Sequence, residues 1–104
     1  MRTDLQLHHD TSRHRYEARA GEDTLGYVEY RTEGDAIVFT HTVVQPEAEG
    51  QGVGGFLARG VLDAARAANR QVVPECSFIA AYLRRHPDDL ALVRPETRRS
   101  FDLG

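Results

Sequence analysis

Val43-Val44-Gln45-Pro46-Glu47-Ala48-Glu49-Gly50-Gln51-Gly52-Val53-Gly54-Gly55 leaves the end of an apolar strand, passes four glycines in six residues, and runs into a helix. Glycine lets backbone approach a ligand closely and adopt positive φ without steric cost. A helix start presents unpaired N–H groups and about half a positive charge. Strand, glycine turn and helix start together form an anion cradle made of backbone. The ligand this predicts carries phosphate.

Working outward, the strand before the loop is Ala36 to Val44, apolar on both faces and therefore central in its sheet. Upstream, Arg13 to Ala20 alternates, with Tyr16, Ala18 and Ala20 on one face against Arg15, Glu17 and Arg19. Leu25 to Arg31 is a second strand. Gly21-Glu22-Asp23 and Thr32-Glu33-Gly34-Asp35 are turns too short for anything but antiparallel neighbours. Residues 1–10 read as a loose lead-in.

Downstream, Val53, Phe56, Leu57, Gly60, Val61, Ala64, Ala65 and Ala68 recur at helical spacing and make one continuous apolar face. Asn69 suits the helix end. Gln71-Val72-Val73, closed by Pro74, is a short strand, and strand–helix–strand implies parallel pairing through a right-handed crossover. Ser77 to Arg85 is a short helix burying Phe78, Ile79, Tyr82 and Leu83, halted at His86-Pro87. The predicted fold is α+β: a three-strand antiparallel meander joined to one parallel βαβ unit, then a short C-terminal helix. One domain is expected over residues 1–104, with its core near 13–93 and with 1–10 and the arginine-rich 94–104 flexible.

Other readings of the glycines fit less well. Gly50, Gly52 and Gly55 spell G-x-G-x-x-G, and Glu75 follows at about the distance a dinucleotide fingerprint asks. There, however, the first glycine closes the strand directly, whereas Pro46-Glu47-Ala48-Glu49 intervene here and no second βαβ half follows. A nucleotide P-loop needs a lysine, and this chain has none. A merely tight turn needs one or two glycines rather than four.

Composition narrows the class further. The chain has 104 residues, 40% hydrophobic and 28% charged, as in an ordinary globular domain. Its net charge of −3 gives no general attraction to nucleic acid or anionic membrane. No apolar run approaches a membrane span, and Met1 to Leu5 has no signal-peptide core. The single cysteine, Cys76, fits a reducing cytoplasm. All thirteen basic residues are arginine, which genome base composition explains better than function does. His8, His9 and His14 lack metal-ligand spacing, so no metal is expected.

The segment HTVVQPEAEGQGVGGFLARGVLDAARA, followed by RQVVPECSFIAAYLRRHP, resembles the GNAT superfamily of acetyl-CoA-dependent N-acetyltransferases, in particular its small single-domain YjdJ-like branch. The resemblance covers residues 15–93. The superfamily motif [QR]-x-x-G-x-[GA] falls on Glu49-Gly50-Gln51-Gly52-Val53-Gly54, with Glu49 at the usual Gln/Arg position. The resemblance implies that main-chain amides from Glu49 through Gly55 hold the CoA pyrophosphate, and that pantetheine lies along the strand at Val43 and Val44. Family members often carry Glu where Val43 stands, so that carboxylate's role does not transfer.

Acetyl transfer to an amine needs the neutral amine, and a lysine-like group is neutral in only about one part in 10³ or fewer at pH 7. A proton acceptor and a donor to the leaving thiolate are therefore required. Tyr82 resembles the tyrosine that many members place near the CoA sulfur; core packing is the competing role. Cys76 lies between strand and helix, where a thiol's pKa can be lowered. The resemblance of its VPxC context to the small branch implies that it lines the acetyl pocket, with a small buried hydrophobe as the competing role and direct transfer favoured over an acetyl-cysteine route. His41, read as sharing a side with Ile37, Phe39 and Val43, is the candidate base, with a structural role as its alternative and Glu29 in reserve. Arg59, Arg84 and Arg85 are candidate contacts for the 3′-phosphate. The acceptor is expected to be an exposed amine on a protein or peptide, because only about three turn residues separate the first two strands. A CoA-binding module without transferase activity is the alternative, and a cysteine-based redox role is a third. The oligomeric expectation is a monomer or weak dimer.

Overall fold

A computed structural model describes residues 2–104. Four antiparallel strands, β1 (Gln6–Asp10), β2 (Arg15–Ala20), β3 (Asp23–Glu33) and β4 (Ala36–Val44), precede the helix α1 (Val53–Ala67). Strand β5 (Gln71–Pro74), α2 (Ser77–Arg85), a 3₁₀ segment at Pro87–Leu92 and α3 (Pro95–Ser100) complete the chain. The sheet order is β1-β2-β3-β4-β5, antiparallel up to β4 and parallel between β4 and β5.

The meander thus has four strands rather than three. Gln6–Asp10, placed in the expected loose lead-in, pairs residue by residue with Arg15–Arg19. Its composition hid it: Gln6, His8 and His9 are poor strand formers, and only Leu7 is apolar. The C-terminal stretch, expected without structure, holds α3, and Leu103 beyond it is only 5% exposed in the core. Arg84 fastens this end by donating to the Phe101 and Asp102 carbonyls (2.9 and 3.2 Å).

Helix α1 packs on one face of the sheet. It buries Val53, Leu57, Val61, Leu62 and Ala65 against Ala18, Val28, Ile37, Phe39 and Val72. The sequence periodicity dictates this face, and Asn69 ends the helix at φ 55°, the left-handed geometry asparagine tolerates. The opposite face is polar. There Arg15 pairs with the buried carboxylate of Glu17 and lies 4.2 Å over the Tyr27 ring. Arg31 reaches across to Glu75 with two hydrogen bonds (3.0 and 2.9 Å). Glu75, the acidic residue of the dinucleotide spacing, is therefore engaged in a structural ion pair.

Between Glu29 and Tyr30 the β3–β4 register shifts, with Glu29 opposite His41 and Tyr30 opposite Phe39. Thr40 is the extra residue of a bulge, which reverses the alternation along β4. Ile37 and Phe39 point into the core, whereas His41 is exposed and lies on the polar face with Glu29 and Val43. The expected common side for His41 and Phe39 does not exist, because a bulge moves every later side chain to the other face.

Candidate active-site cleft

The parallel ladder ends early. It pairs Ala36 to Phe39 with Gln71 to Pro74, and its last bond runs from the Cys76 N–H to the Phe39 carbonyl at 2.8 Å. Strand β4 continues through Thr40 to Val44, paired only with β3. Past Pro74 the chain turns into α2 instead of following β4. A wedge opens there, with one wall of free strand edge and the other the start of α2.

At its far end lies the glycine loop. Gln45 donates to the Leu25 carbonyl (2.9 Å), and Pro46–Ala48 make one 3₁₀ turn. Gly50 and Gly52 take φ of 80° and 82°, which side-chain-bearing residues rarely adopt, and Gly52 is the N-cap of α1. No side chain caps the helix. Among the described residues, the Gly50, Gly52, Val53, Gly54 and Gly55 amides donate to no protein acceptor, while Gln51 donates to the Ala48 carbonyl at 3.3 Å. Five unmatched donors beside a positive helix end are what a diphosphate requires.

The glycines differ in what fixes them. A Cβ at Gly54 would fall 2.7 Å from the Phe78 ring, so this glycine lets α1 and α2 approach. A Cβ at Gly50 or Gly55 would meet nothing within 4 Å. Gly55 has no positive φ either, so the fold gives no reason for glycine there.

Cys76 is the N-cap of α2, 6% exposed, with its sulfur 2.9 Å from the Thr42 hydroxyl on β4. That contact pins the start of α2 across the wedge. Tyr82 is 8% exposed and lies on the α2 stripe with Phe78 and His86, each four residues apart, stacking on the His86 ring at 3.9 Å. By helix geometry this stripe is about 120° around the axis from Cys76. The Arg59 guanidinium of α1 is 6.0 Å from the Tyr82 ring. Among the described residues the Tyr82 hydroxyl makes no hydrogen bond, and it is not among the buried unpaired atoms. It therefore reaches the surface.

Of the arginines considered for a 3′-phosphate, Arg59 is committed elsewhere. It donates twice to Asp89 (both 2.8 Å) and also to Asp63, and Arg66 joins them with a 2.7 Å bond to Asp89. Asp89 is 3% exposed, and the Arg59 and Arg66 hydrogen bonds hold its carboxyl below the usual aspartate range against the opposing effect of burial. Arg84 holds the C-terminal end, which leaves Arg85 without an ion pair among the described residues.

Sequence reading missed two contributors. Arg2 binds the loop through its N–H to the Gln51 carbonyl (3.1 Å) and its guanidinium to the Gln51 side chain (3.0 Å). Thr42 holds Cys76. Both partners are remote in sequence, so no local pattern marks them. Among the described residues no group of three or more His, Cys, Asp or Glu could hold a metal, and no helix is long and apolar enough to cross a membrane.

A model of the GCN5-related N-acetyltransferase family matches residues 15–92, which takes in β2 to the 3₁₀ segment and the whole wedge. Among solved structures, the NMR solution structure of a GCN5-like protein from Staphylococcus aureus is similar, with a TM-score of 0.68 and 24% identity. That match covers 89% of this chain and 91% of the other. No curated protein sequence matches the chain.

Proposed function

The chain belongs to the GCN5-related N-acetyltransferase family, and from that premise we propose that it transfers acetyl from acetyl-CoA to a primary amine on a protein or peptide by direct attack. The observation that carries this is the set of five free amides at Gly50 and Gly52–Gly55, set at the end of a strand whose outer edge is unpaired. The amides suit the CoA diphosphate. The free N–H and C=O groups of Thr40–Val44 suit the amide-bearing pantetheine arm, as an added strand would. Acetyl-CoA supplies an activated acyl group; the remaining work falls to side chains.

Cys76 and Thr42 line the wedge where that arm would end, and the α2 N-terminus beside them favours developing negative charge. His41 is exposed on the polar face, with Glu29 directly opposite in register, so their Cβ atoms lie about 4.5–5.5 Å apart. His41 takes the amine proton as the N–C bond forms, with Glu29 as its partner or substitute. Tyr82, whose surface-reaching hydroxyl lies about 120° around α2 from Cys76, supplies the proton to the sulfur through solvent as the C–S bond breaks. Each such group contributes about 10²–10⁴ in rate. The acceptor side is shallow: β2 and β3 are joined by Gly21 and Glu22 alone, with no helices inserted. An exposed amine of a peptide fits that geometry better than an enclosed metabolite.

Val43, apolar beside His41, favours a second reading, a CoA-binding module with little or no transferase activity. Calorimetry with acetyl-CoA, CoA and NAD, followed by thiol release across an amine and peptide panel, separates the two. The proposal expects binding of both CoA species, none of NAD, and amine-dependent thiol release. Binding without release supports the module, and failure to bind CoA overturns both.

A further inference from the structure

A cavity of about 300 Å³ lies between the sheet and the last turns of α1. It lies opposite the glycine loop along α1, about 20 Å away at 1.5 Å per residue. Its origin is legible in the helix. The first turns present Val53, Leu57, Val61 and Leu62 to the sheet, whereas Ala64, Ala65 and Ala68 follow and leave space. The space opens to solvent, since His9, Thr32 and Ala68 at its rim are exposed.

The walls have specific chemistry. Tyr16 stacks on His9 with centroids 4.1 Å apart, and Tyr30 lies 5.6 Å from both rings. The Tyr30 hydroxyl is 2.6 Å from His9 Nε2. Ile37 and Ala65 are buried lining residues and supply an apolar floor. Arg70 closes one side. Among the described residues its guanidinium meets no carboxylate and makes one long contact, 3.5 Å, to the Gly34 carbonyl. Arg70 lines the same pocket as both phenols; burial raises the pKa of both tyrosines, Arg70 opposes that rise, and the Asp10 carboxylate adds to it at Tyr30. Burial also lowers the His9 pKa, which keeps its imidazole neutral near pH 7 and leaves Arg70 as the cavity's cation.

We propose that this cavity binds a small carboxylic acid with a planar or short apolar body, its carboxylate on Arg70 and its body between the tyrosine rings and the alanine face of α1. An uncompensated guanidinium beside phenolic hydroxyls selects a carboxylate by charge-assisted hydrogen bonds. The aromatic walls and apolar floor reject a bare inorganic anion. A volume of about 300 Å³ stands at the lower end of small-molecule pockets, which suits a ligand no larger than a single substituted ring such as benzoate.

The test is an ¹H–¹⁵N NMR titration of the full chain with benzoate, benzyl alcohol, benzylamine and inorganic phosphate. The proposal expects benzoate to shift the amides of Tyr16, Tyr30, Ala65 and Arg70, and the other three probes to bind at least about tenfold more weakly. Arg70→Gln should weaken benzoate about tenfold or more, and Ala68→Leu, which plugs the mouth from an exposed helix end, should abolish binding. Tyr30→Phe serves as a second variant that keeps the ring should Arg70→Gln fold poorly, and it should weaken benzoate while leaving the ring stack. Benzoate that does not bind, binds elsewhere, is matched by phosphate or benzylamine, or is indifferent to these substitutions overturns the proposal. Acetyl-CoA should not compete, since the cleft is remote.

Discussion

Gly55→Ala separates what the fold needs from what a ligand needs. The new methyl meets nothing within 4 Å and the position has no positive φ, so the folded chain accepts it. Alanine is the better helix former by up to about 1 kcal/mol, and it also narrows the unfolded ensemble. In a first turn a gain of ~0.5 kcal/mol is reasonable, which in a domain of this size raises Tm by about 2–4 °C. The same methyl stands where a phosphate oxygen must come within hydrogen-bonding distance of the amide. Losing one charge-assisted hydrogen bond costs about 1.5–3 kcal/mol, or roughly 10–100-fold in acetyl-CoA affinity. Stability and affinity therefore move in opposite directions. Two neighbours serve as controls. In Gly54→Ala the methyl falls 2.7 Å from the tip of the half-buried Phe78 ring, which must turn aside, so this variant should not share the gain in Tm expected of Gly55→Ala. Gly50→Ala, at φ 80°, should cost about 1–2 kcal/mol through backbone strain. Thermal melts and titration calorimetry on the three variants give both readouts. A Gly55→Ala protein that melts higher and binds acetyl-CoA as tightly as the parent refutes the backbone cradle.

Further outcomes follow from the same geometry. Tyr82→Phe and Cys76→Ala should leave acetyl-CoA affinity within about threefold while lowering thiol release, Tyr82→Phe by about 10²-fold or more if its hydroxyl protonates the sulfur; unchanged turnover in both removes them from the site. His41→Gln should lower kcat by about 10²-fold or more while leaving acetyl-CoA affinity within about threefold, and an unchanged kcat in this variant with a loss in Glu29→Gln moves the base to Glu29. Asp89→Asn should cost about 1–3 kcal/mol at pH 7, a range discounted because Arg59 and Arg66 are 41% and 48% exposed and can rehydrate. Because the folded state holds the Asp89 pKa below its unfolded value, that stabilisation is complete above about pH 4 and fades as pH falls through the lower folded value. The difference in denaturant midpoint between parent and variant should therefore shrink as pH falls below about 4; a constant difference down to about pH 2 contradicts the ion-pair account.

The sequence by itself determined the elements whose information is local. Alternation in Arg15–Ala20, the apolar stripe of Val53–Ala67, the loop glycines and the halt at His86-Pro87 each express a period or a backbone preference contained within a few residues. The parallel partner of β4 followed as well, because a helix between two strands leaves the crossover little choice. Tertiary structure decided whatever depends on pairing across the chain. Polar Gln6–Asp10 is a strand because β2 offers it an edge, and the last residues are held because Leu103 and Arg84 find partners there. The Thr40 bulge, invisible in a list of residues, sent His41 to the polar face and brought Thr42 to Cys76. Arg59 looked like any solvated helix residue until Asp89, thirty positions away, was folded against it. Backbone preferences act within a turn or two and can be read in order; side-chain partnerships form between segments that only the packed chain brings together.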